Sequence, residues 1–337
     1  MMKQLKCSAM SLCKRTGLLD TIAESKWRSN RLAILCYHGI AMNDEHFWRP
    51  RLYMPPELFY SRLDLLKRNR YTVLPLADGI ERLYAKDLPP KSVSITFDDG
   101  FYDFYALARP ALESHDFSST VYLTTFYSEF CRPVFPLMCS YLLWRALGRE
   151  LSLSHLISVE RSIVLNSRPA IDAAARELEG FANRFNLTAE DKDCLLSRLA
   201  ISVNIDYEEV LARRTLSLMN SSEVASLPAR MVNVQLHTHR HRTPDNKSLF
   251  QREIDDNRSR LTAVAGNIAT HFCYPSGIHH SRFMPWLRER GVVSATTCHY
   301  GLATSQCNPL LLPRLVDHSF LTPVEFEYYL NGLSTRI

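Results

Sequence analysis

The chain has 337 residues, 46% hydrophobic and 22% charged, which suits a globular protein with a sizeable core and room for one large domain or two smaller ones. A net charge of +5, with Lys and Arg spread along the chain, provides no basic stripe and argues against a nucleic-acid partner. The nine cysteines are odd in number, irregularly spaced and without a CxxC pair, so they read as reduced thiols in a cytoplasmic protein, not as a disulfide framework.

Residues 1–31 are basic and mildly amphipathic, with Lys3, Lys6, Lys14, Arg15, Lys26, Arg28 and Arg31 set around Leu5, Met10, Leu12, Leu18, Leu19 and Trp27. No apolar run there is long enough for a signal peptide or a membrane span. Two readings stay open. The segment lies peripherally on an anionic surface at the inner membrane face, or it packs as a helix on its own domain.

From Arg31 to Tyr37 a compact apolar run predicts a buried strand that ends in His38-Gly39. That histidine is either a site residue or a core histidine bonded to backbone. Asp44–Arg51 is expected to be a surface loop, and Pro55-Pro56-Glu57 opens a helix carrying Phe59, Leu63 and Leu66 on one face. A strand over Tyr71–Leu76 and a helix over Ala77–Tyr84 follow. Then Val93, Ile95 and Phe97 alternate with small polar residues and run into Asp98-Asp99-Gly100. Carboxylates at the C-terminal end of a strand sit where α/β folds keep their chemistry, although Asp-Asp-Gly is also good turn chemistry. A helix over Tyr102–Ser114, interrupted by Pro110, and a strand over Ser118–Thr125 complete this half.

Between residues 130 and 230 leucine, alanine and charge recur at helical intervals and strand-like alternation disappears, which predicts a helical insertion. The strand-helix rhythm then resumes with strands at Val232–Leu236, His271–Tyr274, Val292–Thr296 and Leu311–Val316. About eight strands alternating with helices predict an α/β fold, a (β/α) barrel of seven to eight strands, closed or incomplete. The expected layout is a basic N-terminal segment at 1–31, barrel at 32–129 and 231–337, and the insertion at 130–230.

The strand Val232–Leu236 empties into His237-Thr238-His239-Arg240-His241. Spacing by three residues lets the imidazoles of His237 and His241 converge on one ion from a tight loop. Imidazole and carboxylate suit a borderline divalent cation, zinc first, with cobalt, nickel or manganese as alternatives. Asp99 can supply the third ligand, which leaves Asp98 free as a general base. His239 alternates with the other two histidines and should face away. The opposing readings are a solvated cationic tract or a structural zinc site.

At this point the chain resembles the polysaccharide deacetylases, the NodB-homology family (carbohydrate esterase family 4). The likeness rests on Thr96-Phe97-Asp98-Asp99-Gly100, His237–His241 and Phe272-Cys273-Tyr274-Pro275-Ser276-Gly277, in that order, with softer support from Tyr37-His38, Leu88-Pro89-Pro90 and Leu312-Pro313-Arg314. It covers about Leu32–Thr125 and Val232–Leu333. The resemblance implies Asp98 as base, Asp99, His237 and His241 as metal ligands, and Tyr274, Pro275, Ser276 and Gly277 lining the groove, with the Ser276 N–H on the oxyanion. Many members carry an arginine ahead of the third motif's proline. Here Phe272-Cys273-Tyr274 occupies that region, so Arg314 is the candidate to orient the base. The general acid falls to His318 or to His38. The expected activity is removal of an acetyl or formyl group from an amino sugar in a polysaccharide, glycan precursor or lipid-linked sugar. The alternative is a non-catalytic carbohydrate-binding protein on the same scaffold.

Overall fold

A computed structural model describes residues 10, 14–266 and 268–333. The chain divides into two compact units, one of residues 1–126 with 221–337, the other of residues 127–220.

The first unit is a parallel barrel. Its strands are β1 (Ala33–Tyr37), β2 (Thr72–Val73), β3 (Ser92–Phe97), β4 (Ser119–Leu123), β5 (Val232–Leu236), β6 (His271–Cys273), β7 (Ser294–Tyr300) and β8 (Leu312–Val316). Seven of them close a ring in the order β1-β8-β7-β6-β5-β4-β3, and β3 returns to β1 through Ala33–Tyr37 against Val93–Phe97. The eighth, β2, only extends the sheet against the start of β3, pairing Thr72 with Ser92 and Val73 with Val93. Two residues are too few to reach β4, which pairs with the other end of β3 at Thr96 and Phe97.

The period-2 pattern of β3 explains how it is covered on both faces. Phe97 packs outward among the rings of Tyr37, Phe59 and Phe104, with centroids 4.8–5.9 Å away. Thr96, one residue earlier, faces the interior, where its Oγ1 receives the Arg314 guanidinium. Ile34, Tyr122, Cys273 and Leu312, from four different strands, share one buried apolar cluster. The polar ends of the same strands follow immediately in sequence.

Four local expectations change. The strand expected over Tyr71–Leu76 is only Thr72–Val73, and Leu76 already opens the next helix, Leu76–Ala85, with Pro75 before it. Asp44–Arg51 is not a plain loop but contains a helical turn, Glu45–Trp48, because Trp48 is large enough to need burial and is 2% exposed. The helix after Gly100 begins as a π-helix at Phe104–Ala108 before Arg109–His115 continues as α-helix. Pro110 has no N–H to donate, and the wider turn just before it absorbs that loss. Strand β7 runs to Tyr300, four residues beyond the expected end, with a register shift between Thr296 and Tyr300 against β8.

Of the N-terminal segment, Lys3, Leu5, Lys6 and Leu12 lie outside the described residues. Further on, Arg28 is fully buried, donating to the carbonyls of Leu330, Arg31 and Ser92. No described helix is long and apolar enough to cross a membrane.

The second unit is mainly helical, with Phe135–Arg145 packed against both Arg168–Arg184 and Ala189–Ser202. Met138, Leu142, Leu143, Leu178 and Leu199 are buried. An antiparallel pair, Glu150–Ser152 with Ser162–Val164, adds strand structure that helical periodicity does not reveal. Residues 221–230 group with the barrel.

Candidate active site

Apart from Arg314, which lies within its strand, the singled-out polar residues of the barrel sit at or just past the carboxyl end of a strand, where loops face outward from a rigid frame. β3 delivers Asp98 and Asp99, β5 the histidine loop, β6 the Tyr274–Gly277 turn, β1 His38, and β8 Arg314 and His318.

Asp99 Oδ1 lies 3.1 Å from His237 Nε2 and 3.1 Å from His241 Nε2. The three ligand atoms lie within 4.8 Å of one another, the spacing of a single-ion site. His237 Nδ1 is 2.9 Å from the Cys273 carbonyl, which can only accept, so Nδ1 carries the proton. In the neutral imidazole that tautomer turns the Nε2 lone pair toward the Asp99 carboxylate. Two electron-rich atoms facing each other at 3.1 Å call for a cation between them, and the donor set therefore fits a divalent metal. Burial raises the Asp99 carboxyl, but His241 and His237 override it and hold the group well below its ordinary value.

Backbone strain shapes the same loops. Asp99 (φ 68°), Thr238 (φ 63°) and His241 (φ 51°) all occupy the left-handed region. Non-glycine residues there cost energy and cluster at sites that need a specific side-chain direction. Gly100 (φ 85°) has no alternative, since a Cβ would sit 2.1 Å from Leu123 Cδ1.

Asp98 is held differently. Arg314, fully buried, donates from both terminal nitrogens to the two Asp98 oxygens at 2.7 Å, and its Nε donates to the Thr297 carbonyl at 2.9 Å. Burial alone would raise the Asp98 carboxyl. The guanidinium charge and its two hydrogen bonds reverse that and keep it ionised. His38 Nε2 is 3.7 Å from Asp98 Oδ2, and the Cys36 and Cys273 thiols approach the same oxygen at 3.6 and 3.4 Å. Cys36, His38 and Asp98, or Asp98, His237 and Cys273, are also close enough to share an ion. The Arg314 fork already answers both Asp98 oxygens, so the Asp99 set is the better cation site.

No hydrogen bond or ion pair joins His318 to Asp98 or Asp99 among the described residues. Its Nδ1 accepts the Phe320 N–H at 3.2 Å, and its ring lies 5.8 Å from that of Phe320. His239 is buried and turns to Thr125 Oγ1, 2.8 Å from its Nδ1, in keeping with its place outside the ligand set. In the Pro275–Gly277 turn Ser276 is left-handed (φ 55°).

Sequence reasoning missed the supports of the histidine loop. Asn257, fully buried on the Lys247–Ala265 helix, accepts the His237 N–H at 2.9 Å and donates to Leu123 O and Thr125 Oγ1. One turn earlier Glu253 receives the Arg240 N–H, the Arg240 guanidinium and Arg242 Nε, while its carbonyl accepts the His239 N–H. The available signal was two polar residues four apart, in line with the inward-facing Phe250, Ile254 and Leu261.

No family model matches the sequence, and no curated protein matches it either. Solved structures do. The deacetylase PplD of Streptococcus pyogenes, solved in complex with acetate, aligns with a TM-score of 0.60 at 17% identity over 89% of this chain and 98% of its own. A polysaccharide deacetylase from Bacillus cereus gives 0.55 at 16% identity over 89% and 69%. A de-N-acetylase from Aggregatibacter actinomycetemcomitans gives 0.55 at 12% identity over 89% and 99%. The chain thus has the barrel fold found in polysaccharide deacetylases, in agreement with the resemblance of its motifs.

Proposed function

We propose that the protein is a metal-dependent hydrolase that removes an N-acyl group, acetyl or formyl, from an amino sugar. The observation that carries this reading is the division of labour between adjacent aspartates: Asp99 faces two imidazoles, while Asp98 is gripped by Arg314 and kept ionised. A module that only binds glycans has no use for a buried carboxylate poised beside a cation site.

A divalent ion held by Asp99, His237 and His241, zinc first on its donor set, would supply Lewis-acid polarisation of the acyl carbonyl and acidify water. Asp98 then accepts the proton of the attacking water, and Arg314 fixes the direction in which it does so. His38 faces the same carboxylate and is kept below its ordinary value chiefly by burial, so it is the neutral group placed to take that proton and pass it to the departing amine nitrogen. The turn bonds of Pro275–Gly277 use the N–H groups of Gly277 and Ile278, leaving that of Ser276 for the oxyanion. Tyr274 does not line the groove as expected, because it is fully buried with its hydroxyl donating to the Leu310 carbonyl at 3.1 Å; Pro275 is buried too, which leaves Ser276 and Gly277 as the accessible part of the turn. In this scheme His318 has no proton to deliver.

Metal analysis of the wild type and of His241→Ala, alongside acetate and formate release from N-acyl amino sugars, tests the reading. One ion and turnover in the wild type, with both lost in the variant, are expected. Full metal occupancy in His241→Ala would remove His241 from the ligand set.

A further inference from the structure

Beside the Asp98–Arg314 pair lies a pocket of about 280 Å³ lined by Arg51, Cys298, Tyr300, Arg314, Val316 and His318, with Tyr329. It adjoins the catalytic groups directly. Arg314 belongs to both, and Cys298 abuts the groove turn so closely that a Cβ on Gly277 would lie 3.2 Å from its Sγ. The lining contains two guanidiniums, an imidazole and two phenols, and no carboxylate. Arg314 is already neutralised by Asp98. Arg51 is not, and has no hydrogen-bond or ion-pair partner among the described residues.

The Arg51 side chain is exposed, but the backbone on either side of it is held in place. Ser319 donates its N–H to Pro50 O at 3.0 Å and its hydroxyl to Tyr53 O at 2.9 Å, which ties the Arg51 segment to the loop bearing His318. His318 uses Nδ1 to accept the Phe320 N–H, so Nε2 carries its proton and donates. Tyr300 and Tyr329 close the other side with rings 4.9 Å apart. A neutral sugar offers the Arg51 guanidinium no charge to pair with. An oxyanion with several acceptors suits the forked guanidinium and the imidazole N–H.

We propose that this pocket binds a phosphate group carried by the substrate, so that the enzyme acts on a phosphate-bearing N-acyl amino sugar. This deepens the deacylase reading and rests on it. A free sugar phosphate and the linkage between sugar and lipid both present such a group. The same two segments expose Phe320 (53%) and Phe47 (72%), apolar side chains that a lipid tail could use.

The test compares N-acetylglucosamine, its 1-phosphate and the dodecyl ester of that phosphate, using zinc-loaded wild type, Arg51→Ala and Arg51→Glu. Direct binding is measured by calorimetry and acetate release by kcat/KM. The proposal expects the 1-phosphate to bind the wild type at least about tenfold more tightly than the unphosphorylated sugar. Arg51→Ala should abolish that preference and Arg51→Glu reverse it, with turnover of the unphosphorylated sugar unchanged in both. A further gain with the dodecyl ester marks the lipid-linked source, and no gain marks the free sugar phosphate. Phosphate preference that survives in Arg51→Ala would place the anion on the metal instead and overturn the pocket assignment. Equal binding of sugar and sugar phosphate by the wild type would overturn it too. Binding and acetate release are separate readouts, so absent turnover with intact phosphate preference would count against the deacylase reading alone.

Discussion

At the scale of single residues the account turns on Asp98. Its carboxylate sits in a fully buried fork with Arg314, a partner 216 positions away in sequence. Asp98→Asn keeps the shape, cannot take a proton from water and leaves the Asp99 set intact. Metal content should therefore stay at the wild-type level while turnover falls about 10²–10⁴-fold. Near-wild-type acetate release from that variant would remove Asp98 as the base. The residues of this centre were unequally visible from sequence. Asp98, Asp99, His237 and His241 announce themselves because two strands end in them. Arg314 was only a candidate, since nothing local in Leu312-Pro313-Arg314 says what it meets. The choice between His38 and His318 depends on which strand end curls toward Asp98, which spacing along the chain does not encode.

At the scale of elements, strands and helices hold the chemistry through contacts that periodicity does not reveal. The Lys247–Ala265 helix was legible as a helix, but not as the clamp on the histidine loop. Asn257→Ala removes the acceptor of the His237 N–H and leaves Leu123 O and Thr125 Oγ1 without their donor. Loss of such outer supports weakens metal affinity by roughly 10–100-fold. A competition titration with a chromophoric chelator should show that weakening in folded protein, and unchanged affinity would reduce Asn257 to a packing residue. Strand β6 carries a pH effect of its own. His271 is buried, with Nδ1 2.8 Å from Ser294 Oγ, and burial lowers it from 6.5 to about 4. In the window between those values the unfolded chain binds the extra proton, so stability is fully present above pH 6.5 and falls as pH drops toward 4. The loss is at most about 3 kcal/mol by the conversion of pKa shift to free energy. Denaturant melts of His271→Gln should show a flatter pH dependence in that window than the wild type. Parallel slopes would contradict the burial argument.

For the whole molecule, alternation of strand and helix was enough to predict a (β/α) barrel, because each parallel strand needs a crossover helix before the next. The closure by seven strands was less legible. β2 has the composition of a strand, yet its two residues pair only with the start of β3 and leave β4 to complete the ring. The 127–220 unit follows β4, while β4 and β5 pair directly from Ser119–Val232 to Leu123–Leu236. That ladder is made of residues of the barrel unit alone. We therefore expect replacement of residues 127–220 by a short flexible linker to leave a folded, metal-binding barrel with weak activity on a small N-acyl sugar and reduced activity on the natural substrate. Circular dichroism with thermal melting checks the first part. A barrel that no longer folds, or a folded one with full activity on the natural substrate, would contradict this expectation.

The central claim is that hydrolysis depends on one divalent ion at Asp99, His237 and His241. The most direct measurement strips the protein with a chelator and follows acetate release from a phosphate-bearing N-acetyl amino sugar as zinc is returned. The account predicts negligible release without metal, a linear rise and a plateau at one equivalent. Release that persists in the stripped protein, or that is indifferent to returned zinc, cobalt, nickel and manganese, would contradict it.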